Sequence, residues 1–292
     1  MYELVRINEN DYYVESPTRV GIVKISENDV CLIDSGKDKD AGKRALRHIR
    51  ENGWTLRAIY NTHFHADHIG ANRYLAEETG CRIFATGVDC ALTRHPILEP
   101  VSLYGANPIE ELRHKFLLAP ESCAEYLTEK ELPEGFELID LKGHSFDMVG
   151  FKTPSGTAFL ADAISSRETL DKYKIGVIYD VGAYLETLER IKNMDAKCFV
   201  FAHVGECEEF SELVEYNKKK TLEIADKICE ICSSPVSFEG ILQALFFDFG
   251  LNMTFEQHAL VGSTVRSYLT YLKEQGRALP YFENNVMLWK KA

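Results

Sequence analysis

No stretch of this 292-residue chain reaches the roughly 18 uninterrupted apolar residues that a membrane-spanning helix requires, so no membrane partner is expected. The opening residues, Met1-Tyr-Glu-Leu-Val-Arg-Ile-Asn-Glu-Asn10, carry charges every few positions and lack the apolar centre of a secretory signal, which makes the cytoplasm the expected location. Internal repeats and low-complexity tracts are also missing, which excludes repeat arrays. Positive charge is scarce. The net charge is −12; residues 1–210 hold 24 basic and 35 acidic side chains, and residues 211–292 hold nine and ten. An acidic body repels phosphate backbones, which disfavours nucleic acid as a partner. Cysteine is not scarce, but a second CxxC is absent. Cys229 and Cys232 stand alone in a helix-like run, Thr221–Cys232, where residues three apart share a face. The eight cysteines read as small buried hydrophobes of a reducing compartment.

What is present is the material of a globular core, with 45% hydrophobic and 27% charged residues. Short apolar runs at Tyr2–Ile7, Asp11–Val14, Val20–Ile25 and Asp29–Asp34 predict strands. Helical periodicity over Asp38–Asn52 stops at Asn52-Gly53; a strand over Leu56–Asn61, a helix over His68–Thr79 and a strand over Arg82–Ala85 follow. This alternation predicts a layered α/β domain. Between Thr93 and Pro133 five prolines interrupt the rhythm, and the segment reads as an insertion or lid with short helical pieces such as Ile109–Leu117. Strands resume at Phe136–Leu141, Met148–Thr153 and Thr157–Ala161, followed by a helix over Asp180–Ile191 and a strand over Cys198–Ala202. Beyond Glu208 three helices are predicted (209–232, 238–249, 254–275), then a hairpin turning at Asn284-Asn285, the element order of a winged-helix module. Two units are therefore expected, 1–208 and 209–292.

The segment that carries chemistry is Thr62-His63-Phe64-His65-Ala66-Asp67-His68, directly after the strand at Leu56–Asn61. Three imidazoles and a carboxylate in six residues are hard to explain as structure, because clustered cationic histidines repel and buried polar groups need partners. Neutral imidazoles gathered on a transition metal remove both problems. His63 and His65, two apart in extended chain, can point to one side. Asp67 and His68, at a helix start, face a second direction. One loop can thus serve two adjacent metal positions.

With these residues the chain resembles the metallo-β-lactamase superfamily, which includes glyoxalase-II-like thioesterases and tRNA-processing nucleases. The resemblance extends to Asp34 in Leu32-Ile-Asp-Ser-Gly36, His144 in Gly143-His-Ser145, Asp162 after Thr157–Ala161, and His203 after Cys198–Ala202, each at a predicted strand end. It implies a four-layer αββα sandwich over about residues 1–208, followed by a small, mostly helical C-terminal domain. It also implies two divalent ions. His63, His65 and His144 would hold one, Asp67, His68 and His203 the other, with Asp162 bridging and Asp34 supporting a ligating histidine. Ile69-Gly-Ala71, Ser145-Phe-Asp147 and Ala161-Asp162 depart from common family spellings and leave the subfamily open. Zinc is expected, with manganese and iron as alternatives, since mixed N/O donors without thiolate do not decide.

Two ions sharing a water lower its pKa toward neutrality and polarise the group attacked, which implies hydrolysis. Asp67 would also orient the water or shuttle its proton. Substrate choice is expected in the 93–133 insertion, whose Arg94, His95, Tyr104, Arg113, His114 and Lys115 suggest a grip on an anionic small molecule through Tyr104, Arg113 and Lys115; His95 and His114 are not expected to ligate. The leading expectation is an ester- or thioester-directed hydrolase. A phosphodiesterase or ribonuclease is the alternative, suggested by the winged-helix-like order and opposed by the tail's charge. A one-iron persulfide dioxygenase is a third reading, which the full set of ligands disfavours. The tail could instead serve docking or homodimerisation through Phe246, Phe247, Leu269, Leu272 and Trp289.

Overall fold

The computed structural model describes residues 2–292. Seven strands form the first sheet in sequence order: β1 (Leu4–Arg6), β2 (Asp11–Val14), β3 (Val20–Lys24), β4 (Asp29–Ile33), β5 (Thr55–Tyr60), β6 (Arg82–Ala85) and β7 (Ala124–Tyr126). The first four are antiparallel, and β4 to β7 run parallel. The second sheet contains β8 (Glu137–Asp140), β9 (Val149–Lys152), β10 (Thr157–Phe159), β11 (Cys198–Phe201) and β12 (Gly205–Cys207), in the order β12-β11-β10-β9-β8.

The central strands are buried on both faces, so they read as continuous apolar runs. Alternate residues serve two different cores. In β4, Cys31 and Ile33 meet Phe151, Phe159 and Val200 of the second sheet. Val30 and Leu32 point the other way, onto Ala45, Leu46 and Ile49 of α1 (Lys39–Glu51). The outer face of the second sheet, including Phe199 and Phe201, is covered by Leu188 and Ile191 of a later helix and by the C-terminal helices. Helix, sheet, sheet, helix is the four-layer order expected.

The helix expected over His68–Thr79 is broken in two: α2 (Ala66–Ile69) and α3 (Asn72–Thr79). Ser35 fixes the break, its N–H and hydroxyl donating to the His68 carbonyl and its hydroxyl accepting the Ala71 N–H. A Cβ on Gly70 would lie 2.2 Å from the Lys37 carbonyl oxygen. The 93–133 stretch is more regular than expected. The helix α4 (Gly87–Arg94) leads into it, α5 (Leu98–Tyr104) lies within it, and β7 makes part of it the edge of the first sheet. A three-residue strand is too short to show a period of two, so composition concealed it.

Next come α6 (Arg167–Tyr173), which the sequence reading did not include, and α7 (Val181–Lys192). The C-terminal region contains α8 (Ser211–Ile231), β13 (Val236–Ser237), α9 (Phe238–Asp248), α10 (Phe255–Glu274), β14 (Ala278–Glu283) and β15 (Val286–Lys291), with a small sheet ordered β13-β15-β14. Asn284 and Asn285 both take positive φ, 49° and 62°, as a two-residue type I′ hairpin requires. Phe246, Leu269, Leu272 and Trp289 are buried, whereas Phe247 is 86% exposed. Cys229 and Cys232 are free and buried, in keeping with a packing role.

Candidate metal centre

The parallel strands of both sheets end along one edge, and every chemically notable residue lies just past a strand end or in a loop there. Asp34 follows β4, the 62–68 segment follows β5, His144 lies between β8 and β9, Asp162 follows β10, and His203 follows β11. Gly143 sets His144: its φ is 121°, and a Cβ there would come 2.3 Å from the Tyr184 backbone nitrogen of α7.

Two donor groups form. In one, His63 Nε2 and His144 Nε2 each lie 3.0 Å from His65 Nδ1. In the other, His203 Nε2 lies 3.2 Å from Asp67 Oδ2, and His68 Nε2 lies 3.7 Å from the same oxygen. Asp162 stands between them. Its Oδ2 is 3.5 Å from His144 Nε2 and 3.3 Å from His203 Nε2, and its Oδ1 is 3.3 Å from His68 Nε2. The sets His63/His65/His144, His63/His68/Asp162 and Asp67/His68/His203 each converge within 4.8 Å.

The surrounding partners fix which ring nitrogens are bare. The Thr62 hydroxyl donates to Asp34 Oδ2 at 2.7 Å, so its oxygen is free to accept from His63 Nδ1 at 3.0 Å. His68 Nδ1 lies 2.8 Å from Asp34 Oδ2, His144 Nδ1 3.0 Å from the Val177 carbonyl, and His203 Nδ1 2.8 Å from the Pro17 carbonyl. A nitrogen that donates to such a partner leaves the other nitrogen of a neutral ring with its lone pair. The Nε2 atoms of His63, His68, His144 and His203 therefore point into the centre, and His65 turns Nδ1 toward two of them. One N–H on His65 cannot serve two acceptors well. His68 Nε2 and Asp162 Oδ1 are buried 3.3 Å apart, and neither makes a well-aligned hydrogen bond. Buried, poorly paired donor atoms of this chemistry fit divalent metal, zinc included.

The charges divide the same way. Burial, then the neighbouring histidines, pushes His63 well below the usual histidine range; burial and His144 bring His65 down to about 3. Burial likewise lowers His144, against the pull of Asp162. His203 is raised to about 10, chiefly by Asp162. For His68, burial works downward, but Asp162, Asp67 and Asp34 raise it well above its ordinary value. Asp67 and Asp162 are lowered despite burial, Asp67 by His68 and a hydrogen bond with His203, Asp162 by His203 and His68. Without metal, the first group is neutral and the second is an array of ion pairs.

Over this centre lies a cavity of about 240 Å³ lined by Phe64, Glu99, Ser102, Leu103, Phe116, Leu117 and Leu260 beside the histidines and carboxylates. Tyr104, Arg113 and Lys115 do not line it. Tyr104 is exposed, Arg113 donates to Pro108 O and Asn107 Oδ1 within its own loop, and Lys115 lies over the Phe116 ring. Arg113 and Lys115 are engaged by neighbours in their own loop. His95 caps α4, and His114 Nε2 pairs with Glu256 at 2.8 Å, so neither joins the centre. Residues that sequence reasoning missed are Thr18, whose hydroxyl donates to Asp67 Oδ2 at 2.7 Å, Thr62, and Glu99. The nearest signal was Thr62, adjacent to the motif.

The profile of the Metallo-beta-lactamase superfamily matches residues 14–203, and the chain belongs to that superfamily. Its His and Asp groups make a plausible metal site of that superfamily's kind. Among curated relatives, the hydroxyacylglutathione hydrolase of Erythrobacter litoralis (strain HTCC2594) is 41% identical over 56 residues, 18% of this chain and 22% of the relative. That of Hyphomonas neptunium (strain ATCC 15444) is 45% identical over 38 residues, 13% of this chain and 15% of the relative. The chain thus spans about a fifth of the length of the curated relatives it matches. A beta-lactamase domain protein from Burkholderia ambifaria superposes with a TM-score of 0.77 at 16% identity, covering 99% of this chain and 94% of that one. A metallo-beta-lactamase family protein from Thermus thermophilus gives 0.73 at 16% identity, covering 98% and 100%. These likenesses extend the shared fold through the C-terminal helices.

Proposed function

We propose that the protein is a two-zinc hydrolase of ester or thioester bonds in a small-molecule substrate. The observation that carries this reading is Asp162 standing between two converging donor groups, one neutral and one ionic. His63, His65 and His144 would hold one ion and Asp67, His68 and His203 the other, with Asp162 shared; the ions, when bound, supply an activated water and a Lewis acid. Asp34 orients His68 directly and His63 through Thr62. Asp67 stands on the open side, its side chain 34% exposed, with Oδ2 fixed by the Thr18 hydroxyl. There it can orient the water or take its proton. Manganese or iron would suit the same donors. The partial likeness to hydroxyacylglutathione hydrolases favours a thioester.

Residues 209–292 have the element order of a winged-helix module and form, in this reading, an appended domain to a catalytic unit of 1–208, in a cytoplasmic protein. Exposed Phe247, Phe255 and Phe282 offer this part a homodimer contact. The same element order favours a phosphodiesterase or ribonuclease as the second reading, which the net charge of −12 opposes.

The test is metal quantification beside a hydrolysis screen of thioesters, lactones, phosphodiesters and β-lactams. About two equivalents of metal per chain and turnover of thioesters are expected. His65→Ala and Asp162→Ala should each lower activity by about 1,000-fold or more. One iron per chain, or activity surviving both substitutions, would sink the proposal.

A further inference from the structure

Away from the His65, Asp67, His144 and Asp162 floor, the cavity over the centre is apolar except for Ser102 and Glu99. Phe64, Leu103, Phe116, Leu117 and Leu260 supply its hydrocarbon surface, and Glu99 of α5 supplies a carboxylate. Glu99 is only 5% exposed, and among the described residues its carboxylate has no hydrogen-bond or ion-pair partner. No arginine or lysine lines this cavity. A buried carboxylate without a partner is costly, and stable proteins pair such groups or reserve them for a ligand. The basic residues that the sequence offered as an anion grip face elsewhere, so the cavity's charge has the sign opposite to the one expected.

Resting on the hydrolase reading above, we infer that Glu99 is the specificity-determining group of this cavity, and that the acyl part of the substrate is an apolar chain bearing an ammonium group. The chain would lie along the leucines and phenylalanines, and the ammonium would donate to the Glu99 carboxylate. An anionic acyl group would find no cationic partner there and would hold Glu99 in its neutral form. Burial, with Asp67's charge adding to it, pushes the Glu99 carboxyl well above the usual range, so the empty cavity favours its protonated form and an ammonium ligand would bind with loss of that proton. The competing role is a charge that merely helps retain metal, and it makes a different prediction for the same variant.

The experiment uses the full zinc-loaded chain and thioesters of increasing acyl length, each ending in a methyl, ammonium or carboxylate group. At the best-fitting length the ammonium-ended substrate should exceed the methyl-ended one in kcat/KM by about 100-fold or more, with the carboxylate-ended one lowest. In Glu99→Gln the ratio of ammonium to methyl should fall to near one, whatever the variant's absolute rate. Calorimetric titration of an alkylammonium into metal-free protein, where no ion can capture the amine, should show binding that Glu99→Gln removes. Hydrolysis without an ammonium preference, or with a carboxylate preference, overturns the inference and leaves the hydrolase reading standing. So does a Glu99→Gln protein that loses metal while keeping the ratio. If no ester or thioester is hydrolysed at full metal loading, the hydrolase reading fails, and absence of alkylammonium binding then overturns the inference separately.

Discussion

Asp34 holds a strained backbone position beside the centre. Its φ is 62°, a left-handed backbone that costs a non-glycine residue on the order of 1–3 kcal/mol. Its oxygens accept from the Thr62 N–H, the Thr62 hydroxyl and His68 Nδ1. Asp34→Asn would turn an N–H toward one of these donors, and we expect metal affinity to fall about 10–100-fold, read by chelator competition. Unchanged retention would mean that the histidines orient themselves.

The histidines divide by charge, and so should metal uptake by pH. His68 and His203 are protonated in the metal-free protein, His203 with a pKa of about 10, so an ion reaching them must displace protons. His63, His65 and His144 are already neutral. Loading near neutral pH should therefore release about two protons from these histidines, beyond any lost by a metal-bound water. The Asp67/His68/His203 position should lose affinity steeply as pH falls, while the other changes little. Titration in buffers of different ionisation enthalpy measures this, and uptake without proton release would contradict it. For the metal-free protein the sign is opposite. His203 is raised, so its pairing contributes stability fully below the ordinary histidine pKa of about 6.5 and loses it as pH rises through about 10.

At this scale the sequence was readable where chemistry is dense. Three histidines and an aspartate within His63–His68 have few structural explanations. Glu99 was not readable, because in Pro96-Ile-Leu-Glu-Pro100 it resembles any surface glutamate. It is buried over the metal centre in a helix, α5, that packs against α10 far later in the chain, beyond the reach of local pattern.

Elements place these side chains by stopping where they do, and glycines permit two of the stops. Gly143→Ala would force a residue with φ of 121° and a Cβ 2.3 Å from a backbone nitrogen of α7. Strain and overpacking together should cost about 3 kcal/mol or more, seen as a lower denaturant midpoint. His144 should shift with it, so activity should fall even where the protein is folded. A variant as stable and active as the parent would show that α7 yields easily. Strands β4, β5, β10 and β11 were legible because strands buried on both faces are uninterrupted apolar runs. The break at Gly70-Ala71 was not, since helical periodicity continues across it and only the Ser35 contacts, from another strand's end, show why the chain turns.

One buried cluster crosses the boundary that composition suggests. Leu188 and Ile191 of α7, Phe199 and Phe201 of β11, and Val214, Ile228, Leu245, Val265 and Leu269 of the last helices belong to one buried cluster. Leu260 of α10 reaches further and forms a wall of the cavity over the metal centre, and Glu256 on the same helix pairs with His114. The acidic-to-neutral change near residue 210 marks a change of surface, and surface charge says little about what lies beneath. A chain ending at Glu208 keeps every proposed ligand and α7, yet uncovers the part of the second sheet's outer face that the C-terminal helices pack against. We expect it to be insoluble or to lack a cooperative melt, and to regain both solubility and activity when residues 209–292 are co-expressed as a separate chain. Size-exclusion chromatography and circular dichroism would read the first outcome, and thioester turnover the second. A soluble 1–208 chain that melts within a few degrees of the parent and hydrolyses the same substrates would show that the shared cluster is dispensable. In that case the C-terminal helices would shape neither the fold nor the cavity, and Leu260 would be a bystander at its rim.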